Sequence, residues 1–420
     1  MPHSVVVSHP TGNANARAAV SGLRNANTLA EFHTSIAVFP GDLLDRLSAW
    51  GPLAEMRRRR FDPAVKQLTR SWPWREIGRL AAVKFGLTGL TQHETGCFCI
   101  DAVYRSLDSR VASCLHKAAQ HGAGGVYAYE DGALATFVAA KALGLRCFYD
   151  LPIGHWRAAR RLLEPELSRW PEWAVTLGGF QDSEFKLARK DEELRLADLI
   201  LTASTFSAQT LKDFPGTLAP IKVIPYGFPA VARQKKPSTT ISASRPLKLL
   251  FVGGLSQRKG IADIFAVADA LGKHVELTIV GRKNGAECPA LDLALSRHRW
   301  ISSLPHPEIL KLMHTHDVLL FPSLFEGFGL VITEAMSQCT PVITTDRTAG
   351  PDLIEHGHNG WLIEPGSTSA LQSAIETLIS SPRLLDQASQ AAQNTAAKRP
   401  WSVYAQELAF AIRSLDASAK

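Results

Sequence analysis

The sequence predicts an α/β protein built from two open parallel sheets, because short apolar runs alternate with helical patterns over most of its 420 residues. A polar stretch at residues 229–246, rich in Lys, Gln, Ser, Thr and Pro, separates two such series and is typical of a linker. Hydrophobic residues make up 45% and charged residues 20% of the chain. These values exclude a mainly disordered, collagen-like or coiled-coil protein.

Both series consist of short strands separated by helices. Before the linker, we predict strands at residues 5–8, 36–39, 125–129, 146–149, 199–202 and 221–224, with helices at 132–143 and 186–196. After it, we predict strands at 247–252, 275–280, 318–321 and 341–344, helices from about residue 260 and near 330–338, and a closing helix at 404–415. Ligands of open α/β domains bind beyond the carboxyl ends of the strands, so the cleft between the two domains is the predicted site.

The compartment is predicted from three features of the sequence. The chain has no run of eighteen uninterrupted apolar residues, so we predict no spanning helix. Its first eight residues lack the basic region and long apolar region of a signal peptide, so we expect the cytoplasm. The six cysteines are scattered, and Cys97-Phe98-Cys99 has no second pair at zinc-ligand spacing, so we expect reduced, buried thiols and no metal.

The net charge of +7 is concentrated in one segment. Residues 51–85 hold nine Lys or Arg against three Asp or Glu, so the rest of the chain is nearly balanced. Arginines beside tryptophans suit the headgroup layer of an anionic membrane, which makes peripheral membrane contact the prediction and a solvated helix face the alternative. We expect no nucleic-acid partner. The residues concerned are Arg57, Arg58, Arg59 and Arg60, followed by Trp72-Pro73-Trp74 and the apolar run at 80–83.

The most informative segment is residues 321–336. A predicted strand ends there, a loop carries Glu326 and two glycines, and a helix begins near Leu330. The glycines allow close approach of the backbone to a ligand, and the helix start offers unpaired N–H groups and a positive dipole end to a phosphate. About one turn inside the helix, Glu334 is placed to accept two hydrogen bonds from a ribose diol, while Glu326 faces the reacting group.

These two glutamates, separated by seven residues, resemble the signature of family-4 retaining glycosyltransferases. Segments 223–227, 249–260, 278–281, 340–343 and 357–362 match the family pattern in the same order. The resemblance is strong from about Ala197 to Leu378 and thin before it. It implies the GT-B fold, in which two Rossmann-like domains face each other across a cleft. We expect an acceptor-side domain at 1–228, a linker at 229–246, a nucleotide-sugar domain at 247–399 and a closing helix at 400–420.

The resemblance implies roles for the matching residues of the second domain. Lys259 would neutralise the diphosphate of the donor as it leaves, and Glu326 would bind sugar hydroxyls and favour positive charge on the sugar ring. Glu334 would hold the ribose. The family often has a second cation where Gly254 stands, so Arg258 is a candidate substitute. Further donor contacts are implied for Gly253, Gly254, Arg282, Pro305, His306, Gly327, Phe328, Gly329 and Leu330.

The first domain offers fewer matches. The family commonly has a histidine at the end of the strand predicted at 146–149, where this chain has Asp150 and, five residues later, His155. Either side chain is a candidate to face the reacting carbon, and a structural histidine is the alternative for the second. Gly12 and Asn13 follow the first strand, where the family's loop approaches acceptor and phosphate; a simple turn before a helix is the alternative.

No cofactor and no metal are required by this scheme. Lys259 and the dipole of a helix can stabilise a diphosphate leaving group, as a divalent cation does at Asp-x-Asp sites. The sequence contains no Asp-x-Asp. We therefore predict transfer from a nucleoside diphosphate sugar to a glycan, lipid-linked or small-molecule acceptor without a metal. The alternatives are a nucleotide-sugar epimerase of the same fold and a catalytically silent protein that binds polyanions or membranes.

Overall fold

The computed structural model describes residues 4–47, 56, 59–233, 245–283 and 287–417, and these residues form two parallel sheets covered by helices. The first domain carries a seven-stranded sheet in the order β3-β2-β1-β4-β5-β6-β7. The second domain carries a six-stranded sheet in the order β10-β9-β8-β11-β12-β13. The strands of the first domain are β1 (Ser4–Ser8), β2 (Leu29–Thr34), β3 (Thr69–Ser71), β4 (Ala123–Tyr129), β5 (Arg146–Leu151), β6 (Leu199–Thr202) and β7 (Ile221–Val223). Those of the second are β8 (Leu247–Val252), β9 (Val275–Val280), β10 (Arg299–Ile301), β11 (Val318–Phe321), β12 (Val342–Thr345) and β13 (Trp361–Ile363).

Helices connect the strands in both domains. The first domain contains α1 (Ala14–Asn25), α2 (Leu43–Leu47), α3 (Trp74–Lys84), α4 (Ile100–Gln120), α5 (Leu134–Ala142), α6 (Trp156–Arg169), α7 (Glu184–Leu196) and α8 (Thr205–Thr210). The second series consists of α9 (Ile261–Leu271), α10 (Pro289–Arg297), α11 (His306–Thr315), α12 (Leu330–Ser337), α13 (Gly350–Leu353), α14 (Thr368–Ser380), α15 (Pro382–Lys398) and α16 (Trp401–Ala417). The central strand β11 is a continuous apolar run, and β8 is interrupted only by Lys248, because both faces of these strands are buried by helices.

One predicted strand is wrong. The apolar run 36–39 lies after β2, and among the described residues it pairs through one isolated bridge, from Val38 to Arg60. Ile36, Val38 and Phe39 are buried, and Phe39 packs against Phe61 with ring centroids 6.3 Å apart. Apolar residues here therefore mark a buried loop. The strand β2 was not predicted, because its residues mix polar and apolar types without a clear alternation.

The closing helix α16 returns to the first domain and packs against α1. The contact is close, because a Cβ atom at Gly22 would lie 2.5 Å from the carbonyl oxygen of Ala405. The two chain crossings between the domains lie side by side, since the Phe228 N–H donates to the Arg399 carbonyl at 2.9 Å. Most of the predicted linker, residues 234–244, lies outside the described residues.

Candidate active site

The strand order of the second sheet creates a crevice at its carboxyl edge. The chain runs from β8 to β9 and β10 on one side and then returns to β11 on the other side of β8. Loop 253–260 follows β8, and loop 322–329 follows β11, so both loops flank this switch point. Crevices at switch points are where open α/β sheets bind ligands.

Loop 253–260 ends in a tight turn that leads into α9. Gly260 has a φ of +69°, and a Cβ atom there would lie 2.3 Å from the carbonyl oxygen of Pro322. Glycine is therefore required both by the left-handed backbone and by the packing of one loop against the other. The two loops are also joined by the Leu324 N–H, which donates to the Arg258 carbonyl at 2.8 Å.

Lys259 and Glu326 meet between these loops. The Lys259 ammonium contacts the Glu326 carboxylate and lies 4.7 Å from the ring centroid of Phe321. Arg258 reaches the same carboxylate, with its Nη1 atom 3.1 Å from Glu326 Oε2, and also donates to the Phe325 carbonyl at 2.7 Å. Two cations thus share one carboxylate. The excess positive charge suits an anionic ligand such as a diphosphate.

Burial lowers the pKa values of both cations in this cluster. Lys259 is only 9% exposed. Burial, and secondarily the charge of Arg258, lower the pKa of Lys259, while the Glu326 carboxylate in contact with the ammonium opposes that shift. Burial also lowers the pKa of Arg258. An arriving diphosphate would offset the cost of holding these two charges in a poorly solvated place.

Loop 322–329 is pressed against the first domain. A Cβ atom at Gly327 would lie 1.9 Å from the carbonyl oxygen of Pro152, in the loop after β5. The Gly327 carbonyl accepts hydrogen bonds from the hydroxyls of Ser204 and Ser207. Two residues later, Gly329 has a φ of +84° and directly precedes α12. The first N–H groups of this helix have no intrahelical acceptor. The helix start is therefore held at the domain interface.

Glu334 pairs with His306 at the other end of the site. The Glu334 Oε1 atom lies 2.9 Å from His306 Nε2, and this hydrogen bond raises the pKa of His306. Arg282 follows β9, and its carbonyl accepts from the Leu255 N–H of loop 253–260 at 3.0 Å. The residues predicted to hold ribose and base thus lie around the same crevice as Lys259.

Gly12 and Asn13 form a tight turn before α1. Gly12 has a φ of +61°, and a Cβ atom there would lie 2.2 Å from the ring of Phe61. The Asn13 side chain accepts from the Ala16 N–H at 3.1 Å and caps the helix. The alternative of a turn before a helix accounts for both residues, and their contact with acceptor or phosphate stays a prediction.

Asp150 and His155 have internal partners, which does not support the prediction that either faces the reacting carbon. The Asp150 carboxylate is buried and accepts a hydrogen bond from the Tyr127 hydroxyl. Side chains alternate along β5, so Asp150 lies on the same face as Phe148, which belongs to the same core cluster as Tyr127. The His155 ring is 1% exposed, with its Nε2 atom 3.2 Å from Asp191 Oδ1. His155 therefore fits the alternative of a structural histidine.

Asp150 makes the stability of the fold depend on pH. Burial raises the pKa of Asp150 to about 7, above its value in an unfolded chain of roughly 4. A raised pKa stabilises the folded state at low pH, and this stabilisation is lost as the pH rises to about 7. We expect Asp150→Asn to match the parent near pH 4 and to exceed its free energy of unfolding by up to about 4 kcal/mol at pH 8. Urea unfolding at both pH values measures this, and an equal difference at the two would contradict it.

The arginine segment differs from its prediction. Arg57 and Arg58 lie outside the described residues. Arg59 is buried against the Glu76 carboxylate, while Arg60 is exposed, with its Nη2 atom 3.5 Å from Asp45 Oδ2. Four free arginines on one surface are therefore not present, because Arg59 neutralises a buried carboxylate. None of the described helices combines the length and the apolar character needed to cross a bilayer.

One group of side chains in the described part of the chain has the composition of a metal site. Ligand atoms of His93, Glu94 and Asp182 lie within 4.8 Å of one another. Both carboxylates already have partners. Lys186 Nζ forms an ion pair with Asp182 Oδ1 at 3.0 Å, and the Ser183 N–H donates a hydrogen bond to Glu94 at 2.8 Å. Competing cations disfavour a divalent ion there.

Comparison with known proteins identifies the second domain. Residues 232–395 match the family described as glycosyl transferases group 1. This segment belongs to that family. The match covers loop 253–260, the Lys259–Glu326 pair and Glu334, so the resemblance predicted from the sequence is confirmed at this level.

Two relatives match a longer part of the chain than the family does. Glycogen synthase of Mycobacterium tuberculosis is 27% identical over 267 residues, 61% of each chain. D-inositol 3-phosphate glycosyltransferase of Corynebacterium jeikeium is 29% identical over 238 residues, which cover 50% of this chain and 56% of that protein. The matches thus span about three-fifths of the length of these relatives.

Solved structures confirm the GT-B fold. Sucrose-phosphate synthase from Thermosynechococcus elongatus superposes with a TM-score of 0.67 at 16% identity, covering 99% of this chain and 100% of that one. The Anabaena protein HepE in complex with UDP and glucose gives 0.64 at 18% identity, covering 98% and 100%. Two Rossmann-like domains therefore face each other here, as predicted.

Several contacts to the site were missed by the sequence analysis. Ser204 and Ser207 reach Gly327 from the first domain, and Glu166 and Thr176 reach loop 253–260. Only Gln257, which receives two of these contacts, carried a local signal, because it lies two residues before Lys259 in the matched motif. The others are distant in sequence from the residues that they contact.

Proposed function

We propose that this chain is a retaining glycosyltransferase that moves a sugar from a nucleoside diphosphate sugar to an acceptor. The observation that carries the proposal is the meeting of Lys259, Arg258 and Glu326 in the crevice between loops 253–260 and 322–329. The Glu334–His306 pair on the neighbouring helices completes the site. Cations and a helix start suit the diphosphate, and carboxylates suit sugar and ribose hydroxyls.

In the proposed reaction, the bond between the anomeric carbon and the diphosphate oxygen breaks, and its electron pair leaves with the diphosphate. Lys259 and Arg258 stabilise that growing negative charge, which is where electrostatic catalysis contributes most. Glu326 binds the sugar and favours the positive charge that develops on its ring. The acceptor hydroxyl oxygen then bonds to the anomeric carbon, and its proton passes to the diphosphate, whose oxygen has gained the electron pair of the broken bond. Retention of configuration is the outcome implied by the resemblance.

We further propose that no metal takes part. The positive charge of Lys259, Arg258 and the start of α12 serves the leaving group in place of a divalent cation. The absence of Asp-x-Asp from the sequence supports this proposal. The donor experiment below is therefore run in EDTA.

The test is a panel of nucleoside diphosphate sugars, scored by release of the nucleoside diphosphate. UDP-glucose is the first donor to try, because a complex of HepE with UDP-glucose is among the similar structures. We expect one donor to be cleaved in EDTA and to raise the melting temperature by its preferential binding to the folded state. Epimerised donor without cleavage would favour the epimerase alternative, and neither binding nor cleavage would favour the silent binding protein.

The acceptor class remains a glycan, a lipid-linked sugar or a small molecule. We propose the cytoplasm as the compartment of this chain, because Cys99, Cys147 and Cys288 are buried as thiols, as expected in a reducing environment.

A second proposed function is reversible docking on an anionic membrane through α3 and the turn after it. Trp74 is 67% and Phe85 73% exposed, and Ile77, Val83, Leu87 and Leu90 are also exposed. Between Thr69 and His93 the only carboxylate is Glu76, which is buried against Arg59 and Arg79. The exposed face thus joins apolar side chains to cations without an exposed carboxylate, which suits anionic headgroups over acyl chains.

Membrane docking is tested by co-sedimentation with vesicles containing about 30% anionic lipid at low salt. We expect the parent to pellet and the double variant Trp74→Ala/Phe85→Ala to stay in the supernatant. The matched control is Leu293→Ala/Phe410→Ala, which removes two apolar side chains, each 61% exposed, from α10 and α16 and should pellet as the parent does. A parent that does not pellet, or a first variant that pellets fully, would remove the membrane role.

A further inference from the structure

A buried cluster of polar groups joins the first domain to loop 253–260. Ser256 Oγ donates to the Thr176 carbonyl at 2.7 Å, and the Gln257 N–H donates to Thr176 Oγ1 at 2.9 Å. Gln257 Nε2 donates to Glu166 Oε2 at 2.9 Å. All four residues are nine-tenths or more buried. The loop that carries Lys259 is therefore held by side chains of the opposite domain.

Glu166 also determines which way the Gln257 amide points. A carboxylate only accepts hydrogen bonds, so it selects the orientation with Nε2 toward Glu166. The amide oxygen then faces the first turn of α9, where it accepts from the Ala262 N–H at 3.0 Å. The reversed amide would place oxygen against carboxylate and leave the Ala262 N–H without its acceptor. One residue of the first domain thus sets the shape of the turn that ends in Lys259.

Glu166 is itself fixed by Arg169, which lies one turn later on α6 and also reaches the second domain. Arg169 Nη1 lies 3.1 Å from Glu166 Oε2, and the same guanidinium contacts Asp263 on α9. It also donates to Thr368 Oγ1 at 3.0 Å. Arg169 therefore ties the carboxylate of Glu166 to two helices of the second domain, and the buried charge of Glu166 is compensated.

We infer that Glu166 is a positioning residue for Lys259, so that the acceptor-side domain holds the diphosphate loop in its working shape. The catalytic consequence of this inference rests on the proposed function. The effect of Glu166 on the shape of the loop does not depend on it. Glu166 acts through Gln257. Displacement of a catalytic group by about 1 Å can cost on the order of a hundredfold in rate, so a loosened turn should be costly.

The first readout is hydrogen exchange at the amides of residues 257–262. We expect Glu166→Ala to speed exchange at these amides, because the Gln257 amide loses its partner and the turn opens more often. Glu164→Ala, on the exposed side of the same helix, is the matched control and should leave the exchange unchanged. Unchanged exchange at 257–262 in folded Glu166→Ala would overturn the inference even if the parent proved inactive. Should Glu166→Ala fail to fold, the isosteric Thr176→Val, which removes the acceptor of the Gln257 N–H, takes its place.

The second readout is turnover with the donor identified by the panel. We expect Glu166→Ala to lower kcat about tenfold or more in the parent, and by less than about twofold in a Lys259→Ala background, because its effect passes through that lysine. Exchanging the partners, Glu166→Gln with Gln257→Glu, should restore part of kcat. An equal loss in both backgrounds would show a purely structural role and contradict the inference. A parent without turnover but with the expected exchange would count against the proposed function alone.

Discussion

Lys259→Ala is expected to lower turnover on the order of a hundredfold or more at saturating donor. The ammonium is buried at the crevice beside the Glu326 carboxylate, where a charge acts through little intervening water. Its interaction grows as the diphosphate leaves, so its loss should appear in kcat more than in KM. Steady-state release of nucleoside diphosphate measures both constants.

Lys273→Ala is the matched control for this prediction. Lys273 is an exposed lysine of the same domain, at the end of α9, and its loss should leave turnover unchanged. Turnover of Lys259→Ala within about threefold of the parent would show that Lys259 is an ordinary loop lysine.

The two glutamates are expected to respond differently to replacement by glutamine. Glu334→Gln should weaken binding of the free nucleoside diphosphate about tenfold, because a charged acceptor for the ribose becomes a neutral one. Glu326→Gln should lower turnover on the order of a hundredfold while nucleoside diphosphate binding is no weaker than in the parent. The reason lies in its contacts: Lys259 and Arg258 lose a competing carboxylate and remain available to the diphosphate.

Calorimetric titration with the nucleoside diphosphate and turnover assays separate these effects. Equal losses of nucleotide affinity in both variants would contradict the assignment of one glutamate to the ribose and the other to the sugar. The Glu334→Gln variant should also lower the pKa of His306, because the hydrogen bond that raises it becomes a neutral one.

The elements predicted correctly from the sequence are those whose buried positions form a clear apolar pattern along the chain. β11 is a continuous apolar run, β8 is apolar except for Lys248, and α12 follows a loop with glycines, so their types were predicted correctly. β2 was missed because it carries Glu31 and His33, which pair with each other at 2.9 Å. An ion pair within a strand hides the apolar alternation on which the prediction depends.

The site was predicted where it depends on strand order and missed where it depends on distant contacts. Lys259 and Glu326 follow neighbouring parallel strands, whose carboxyl ends meet at one edge, so their proximity could be expected. Gln257 and Glu166 are 91 residues apart and in different domains, and no local pattern indicates such a pair. The position of Asp150 at a strand end suggested the cleft, but no local pattern indicates that its carboxylate is buried against the Tyr127 hydroxyl.

The most direct test of the proposed activity is the anomeric configuration of the first product, followed in real time by proton NMR. The parent is incubated in EDTA with the donor identified by the panel, using water or a found acceptor as the second substrate. A retaining transferase acting through Lys259 and Glu326 predicts that the first sugar signal has the configuration of the donor, and that Lys259→Ala slows its appearance about a hundredfold. A first product of inverted configuration, or no consumption of any donor by folded parent, would contradict the account.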